Sequence, residues 1–258
     1  QPVEGTQITI FIAGDIHRYR DMVEGIRETL GHWCNHSETE VYFEDRSSGD
    51  TFSEPELINE EFEVDGYLPV TVTHEGTEIV AAYSEEPVYG FYNRGLTLAL
   101  TEAADDVLGR RAGRFYHIAF KIKSRYLEHT LSRETVMRDE NYEKAMQLLR
   151  DAADKKLFPA LFDKLEALSS QRDWSLTEID RYGMFLGFLK REPIELLEEK
   201  DDRPILRTVD GDVVSLSHVY DTWKRDGRVL VAEGPSDLTG ELAQLGIPVL
   251  LGSSSDDG

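Results

Sequence analysis

Cysteine is almost missing from this sequence: Cys34 stands alone among 258 residues, so no intrachain disulfide can form and a reducing compartment fits. Lysine is scarce too, with 9 residues against 19 arginines. No apolar run approaches the roughly 18 to 20 residues that span a bilayer. No basic stretch followed by an apolar one opens the chain, so a signal peptide is not expected either. These absences predict a cytoplasmic protein without membrane contact. The chain begins with Gln1, not Met, and the expectation is an excised fragment or a processed chain. Gly-x-Ser-x-Gly elbows, His-Glu-x-x-His helices and spaced cysteine pairs are all lacking, which removes the commonest sequence signatures of hydrolases and zinc sites.

What is abundant is acid. Fifty Asp and Glu face 28 Lys and Arg, for a net charge of −22. The carboxylates are spread over every predicted helix. Such a surface suits very high salt, where screening removes self-repulsion, or suits basic partners; the even spread favours the first. Non-specific binding to nucleic acid is disfavoured and no nucleic-acid partner is expected, because a phosphate backbone demands positive charge. Hydrophobic residues at 40% and aromatics at 10% supply ample material for a core.

Periodicity divides the chain. Thr6 to Ile12 alternates as a strand, and Ile16, Tyr19, Val23, Ile26 and Leu30 fall on one helical face with Gly31 as C-cap. Val41 and Phe43 mark a short strand, and Asp45 to Asn59 reads as a loop. Tyr67 to Tyr83 predicts a hairpin turning at His74-Glu75-Gly76. Val88 to Tyr92, Leu96 to Leu100 and Phe115 to Ile122 predict further strands. Helix dominates from Glu134 to Leu189, interrupted at Pro159 and restarted by the capping-box pair Ser175 and Glu178. Asp210-Gly211 turns a hairpin between Ile205–Thr208 and Val213–Leu216. After a helix bearing Val219, Tyr220 and Trp223, two apolar strands, Val229–Val231 and Val249–Leu251, flank a helix from Ser236 to Leu245. A right-handed parallel crossover follows.

The fold class expected is therefore mixed α/β. Residues 1–12 form a lead-in strand, 13–133 a large sheet-rich α/β subdomain, 134–200 a helical linker, 201–252 a small α/β subdomain, and 253–258 a disordered tail.

Two local motifs suggest chemistry and then weaken. His32, Cys34 and His36 would share one side of an extended segment and could offer zinc three ligands; without a fourth, they read as loop residues, and no metal is expected. Gly234-Pro235-Ser236-Asp237 opens a helix after a strand, but Asp237 would repel phosphate.

The segment Leu127-Glu128-His129-Thr130-Leu131-Ser132-Arg133-Glu134 resembles the middle-domain loop of the heat shock protein 90 chaperones. Gly5-Thr6-Gln7-Ile8-Thr9-Ile10 resembles the last strand of that family's ATPase domain. Tyr92-Asn93-Arg94-Gly95-Leu96 is similar to the strand region before its loop. Val213-Val214-Ser215-Leu216 with Tyr220, Trp223 and Lys224 is similar to its small C-terminal subdomain. The matches run in the family's order from Gly5 to Leu251. The resemblance implies that Arg133 reaches the terminal phosphate of ATP held by a separate ATPase domain, with Ser132 and Glu134 supporting the loop. A guanidinium suits that task, since phosphoryl transfer is catalysed by positioning and charge neutralisation. Thr130 stands where the family has Asn, and Met137 where it has Gln; Arg138 is the substitute cation nearby. The family's upstream proline segment is not recognisable.

The nucleotide-binding motifs of the ATPase domain are absent from this chain. The resemblance thus implies no cofactor and no activity in the fragment alone, with ATP and Mg bound elsewhere in a full-length homodimer. Its partners would be its own ATPase domain and client proteins, in protein folding and the stress response. Two alternatives are the transducer domain of a DNA-acting ATPase, with Lys121 or Lys123 at the phosphate, and a stand-alone enzyme built on the terminal α/β unit.

Overall fold

A computed structural model of the chain describes residues 11, 15–45, 54–108, 113–131, 135–171 and 174–252. The predicted strand from Thr6 to Ile12, save the exposed Phe11, and the predicted tail at 253–258 lie outside the described residues.

Helix α1 (Ile16–Cys34) starts at Asp15, whose carboxylate accepts from the His17 and Arg18 amides, satisfying two of the orphan donors of a helix start. Gly31 does not end it, as the sequence suggested. The helix runs a turn further because the Thr97 hydroxyl donates to the His32 carbonyl at 2.6 Å, which ties the last turn to the sheet. None of the apolar residues on its predicted face is fully buried. Strands β1 (Tyr42–Phe43) and β2 (Glu56–Leu57) pair antiparallel, so the predicted loop from Asp45 to Asn59 contains a strand.

Hairpins β3 (Tyr67–His74) with β4 (Thr77–Tyr83), and β5 (Tyr89–Asn93) with β6 (Leu96–Thr101), follow. Each turns through two residues with positive φ, Glu75-Gly76 and Arg94-Gly95, the geometry that matches strand twist. A short helix, α2 (Ala104–Leu108), and a 3-10 turn (Gly113–His117) lead to β7 (Ile118–Ser124). Phe115, expected in the strand, belongs to that turn, held by the Tyr89 hydroxyl donating to its carbonyl at 2.7 Å. The sheet order is β3-β4-β7-β5-β6. β7 lies antiparallel to β4 and parallel to β5.

After β7 the helix expected from Glu134 is not present over the described residues 135–138. His129 and Val136 instead form an antiparallel bridge, and α3 (Glu140–Ala152) starts six residues later than predicted, capped by Asp139. The reason is packing: Val136 is 1% exposed, belongs to the main core, and is held by its bridge to His129. A π-helical turn (Ala153–Leu157) joins α3 to α4 (Phe158–Ser169). Pro159 therefore falls within one continuous helical run, directly after the π-helical turn, and does not break it; a local change of helical winding is where such a run takes up a residue without an N–H. The Ser175–Glu178 capping box opens α5 (Leu176–Leu189) as expected, and α6 (Ile194–Glu198) follows.

The last part contains the hairpin β8 (Pro204–Arg207) and β9 (Val213–Ser215), then α7 (Leu216–Asp226), β10 (Leu230–Ala232), α8 (Asp237–Gln244) and β11 (Val249–Leu251). β10 and β11 pair in parallel across α8. The protein is a mixed α/β fold. One continuous core joins the inner sheet face (Ile79, Phe91, Phe120) to the helices (Leu149, Phe162, Phe185) and reaches Ile205. Tyr182 closes that junction: its hydroxyl donates to the Ile205 carbonyl at 2.9 Å and accepts from the Arg207 amide at 3.0 Å. No described helix is long and apolar enough to cross a membrane.

Candidate functional site

Ser132, Arg133 and Glu134 lie outside the described residues. The chain on either side of them is tied down by hydrogen bonds. Leu127 is buried, and its carbonyl accepts from the Asn93 side-chain amide at 2.6 Å. Beyond it, the Thr130 amide donates to the Thr135 carbonyl at 2.9 Å and the Met137 amide to the Glu128 carbonyl at 2.7 Å. Residues 128–130 and 135–137 are thus clamped together, with buried Leu127 and Val136 as anchors. Leu131 is fully exposed, as are Met137 and Arg138 in part. The sequence places Arg138 on the helix expected to begin after Ser132. It sits instead in irregular chain just before Asp139, with no helix between it and the bridge.

The opposite face of the sheet carries a second constellation. Alternation along β7 sends Ile118, Phe120 and Ile122 into the core and Ala119, Lys121 and Lys123 to the other side. Lys123 is committed: its Nζ lies 2.7 Å from a Glu78 carboxylate oxygen and 4.4 Å from the centre of the Phe62 ring. Lys121 Nζ lies 3.0 Å from Nε2 of the buried His36. Nδ1 of the same ring is 3.4 Å from the Glu60 carbonyl oxygen, and Phe62 and Tyr92 meet it edge-on at 5.1 Å each. Burial, then the charge of Lys121, holds the His36 pKa below its usual value, against an opposing pull from Glu60. Burial also lowers the Lys121 pKa, with Glu60, Asp65 and Glu63 opposing. Desolvation raises the Tyr92 pKa, so its hydroxyl stays protonated.

Lys121 lines an open groove of about 1420 Å³ between residues 60–67 and 84–88. Seven of its sixteen lining residues are carboxylates and one is a lysine. Phosphate is poorly matched to such a surface. The pairing of His36 with Lys121 spans 85 positions, so no local motif announced it. The one trace in the sequence is the polar Lys121 and Lys123 interrupting an apolar strand.

No family model matches this chain, and no curated protein matches it.

The three residues weighed as zinc ligands are separated by the helix. His32 and Cys34 occupy the last turn of α1, while His36 lies past its end, turned into the sheet. Among the described residues no group of three or more His, Cys, Asp or Glu could hold a metal ion. Ser236 caps α8, with Thr239 returning the bond to its amide at 2.8 Å. That helix start is closed by its own residues.

Proposed function

We propose that this chain is the middle domain of a heat shock protein 90 type chaperone, supplying Arg133 to the terminal phosphate of ATP bound by a separate ATPase domain. The colinear resemblance from Gly5 to Leu251 carries this reading. The clamped chain on both sides of residues 132–134 supports it, because a cation that must meet a phosphate on another domain needs fixed supports and a short reach.

The division of labour follows from the residues. The chain brings a guanidinium, a planar fork of donors suited to phosphate oxygens, and the ATPase domain holds the nucleotide and Mg. Charge neutralisation is then available only when the two domains dock, which makes turnover conditional on conformation. Ser132 and Glu134 position the arginine, and Arg138 is the alternative donor. Client proteins, a full-length homodimer and a cytoplasmic location belong to the same proposal.

The test is turnover by the full-length protein. Arg133→Ala is expected to lower ATPase kcat by about a hundredfold or more, the scale of removing a charge-stabilising donor, while nucleotide binding persists. A fall with Arg138→Ala alone would reassign the role to Arg138. Unchanged turnover in both variants would remove it from this segment altogether.

A further inference from the structure

We propose that Lys121 is a reactive amine that condenses with carbonyl compounds bearing no negative charge, with His36 as its proton acceptor. This does not depend on the chaperone reading. It begins with an anomaly of pairing. In a chain with 50 acidic residues, Lys123 pairs with Glu78 at 2.7 Å and Lys155 with Asp151 at 2.6 Å. Lys121, half-buried and two residues from Lys123 on the same strand, bonds to an imidazole instead, and no ion pair joins it to a carboxylate among the described residues.

The hydrogen bonds assign the protons. A carbonyl oxygen can only accept, so His36 Nδ1 carries the hydrogen that faces Glu60. Nε2 then presents a lone pair to Lys121 Nζ. A protonated imidazole would set two cations 3.0 Å apart in a site walled by Phe62 and Tyr92, which electrostatics forbids. His36 is thus held neutral as a base beside an amine whose charge is itself disfavoured by burial. Once Lys121 has released its proton, its amine has a base 3.0 Å away, the arrangement amine nucleophiles require.

The reaction balances without an oxidant. The Nζ lone pair attacks the carbonyl carbon, an N–C bond forms, and the C=O π pair moves to oxygen. The nitrogen gives a proton to His36 Nε2, which returns it to the oxygen to make the carbinolamine, and the second N–H proton follows the same route as the hydroxyl departs. Loss of that oxygen as water leaves an imine.

The groove sets the class of carbonyl. Its seven carboxylates repel anions, which excludes phosphorylated aldehydes. Tyr67, Val88 and Leu100 offer apolar surface for an uncharged body. The groups that face Lys121 are Glu60, Glu63 and Asp65 from the segment before β3, Lys123 on its own strand, Tyr92 on β5, and His36.

The experiment uses the whole chain with benzaldehyde or 4-carboxybenzaldehyde, trapping the imine with cyanoborohydride and reading each lysine by peptide mass spectrometry. With benzaldehyde at pH 7, Lys121 is expected to be modified at least tenfold faster than Lys155, although Lys155 is 72% exposed. Its rate should also reach half its plateau at a lower pH. The carboxylated probe should lose at least tenfold at Lys121 and little at Lys155. His36→Gln should slow Lys121 alone; should that variant unfold, the ranking and pH profile in the unaltered chain still decide. Labelling of Lys121 no faster than Lys155 would reduce the pair to a structural hydrogen bond and overturn the proposal. Equal rates for both probes at Lys121 would overturn the substrate class.

Discussion

At the scale of single residues, two glycines show how differently one backbone requirement can be enforced. Gly95 and Gly227 both have positive φ, 85° and 68°. A Cβ on Gly227 meets nothing within 4 Å, whereas on Gly95 it would fall 1.6 Å from the His36 carbonyl oxygen. Gly227→Ala should therefore cost about 1 kcal/mol, the left-handed penalty alone. Gly95→Ala should cost at least about 2 to 3 kcal/mol, since backbone must also move. Urea unfolding midpoints at unchanged slope measure both; equal losses would mean that the close approach of residues 36 and 95 is not maintained in solution. The contrast also bears on the lysine site, because Gly95 fixes the chain that carries His36.

Among elements, what could be read from sequence depended on how local the determinant was. The turns at Gly76 and Gly211 and the Ser175–Glu178 box were legible because a few neighbouring residues decide them. The start of α3 was not. Ser132 and Glu134 mimic a cap, but the burial of Val136 against the sheet outweighs that local preference and delays the helix to Asp139. Phe115 misled for a related reason, since its apolar side chain is buried from a 3-10 turn as well as it would be from a strand. The candidate sites divide the same way: the segment around Arg133 announces itself by motif, while His36 and Lys121 meet only once the sheet has formed. Asp139, which accepts from the Asn141 and Tyr142 amides at 2.9 Å each, carries the element-scale prediction. Asp139→Ala should destabilise the protein by about 1 kcal/mol, seen as a lower urea midpoint. No change would place the true cap elsewhere.

For the molecule as a whole, charge is the dominant surface fact. A net −22 over one mixed α/β body means self-repulsion that salt relieves, because the screening length falls from about 10 Å at 0.1 M to about 3 Å at 1 M. Raising sodium chloride from 0.1 to 2 M should raise Tm by several degrees, as each kcal/mol regained moves Tm by about 2 to 4 °C at this size. A flat or falling Tm in a calorimetric scan would mean that the carboxylates do not oppose folding. The same screening should weaken the hold of Glu60, Glu63 and Asp65 on Lys121.

The place of β7 in the sheet has a consequence in time. It is the last of the five strands in the chain, yet it sits in the middle, between β4 and β5. The two hairpins that precede it do not touch each other within the sheet; each can form early and each presents a bare edge to the seam. A growing polypeptide must therefore wait for residue 124 to emerge before either edge is closed, and closure pairs segments far apart in sequence, the slow kind of contact. During that interval the nascent chain carries two unpaired strand edges, the kind of surface that invites stray pairing, and its own acid is what keeps such half-made sheets apart.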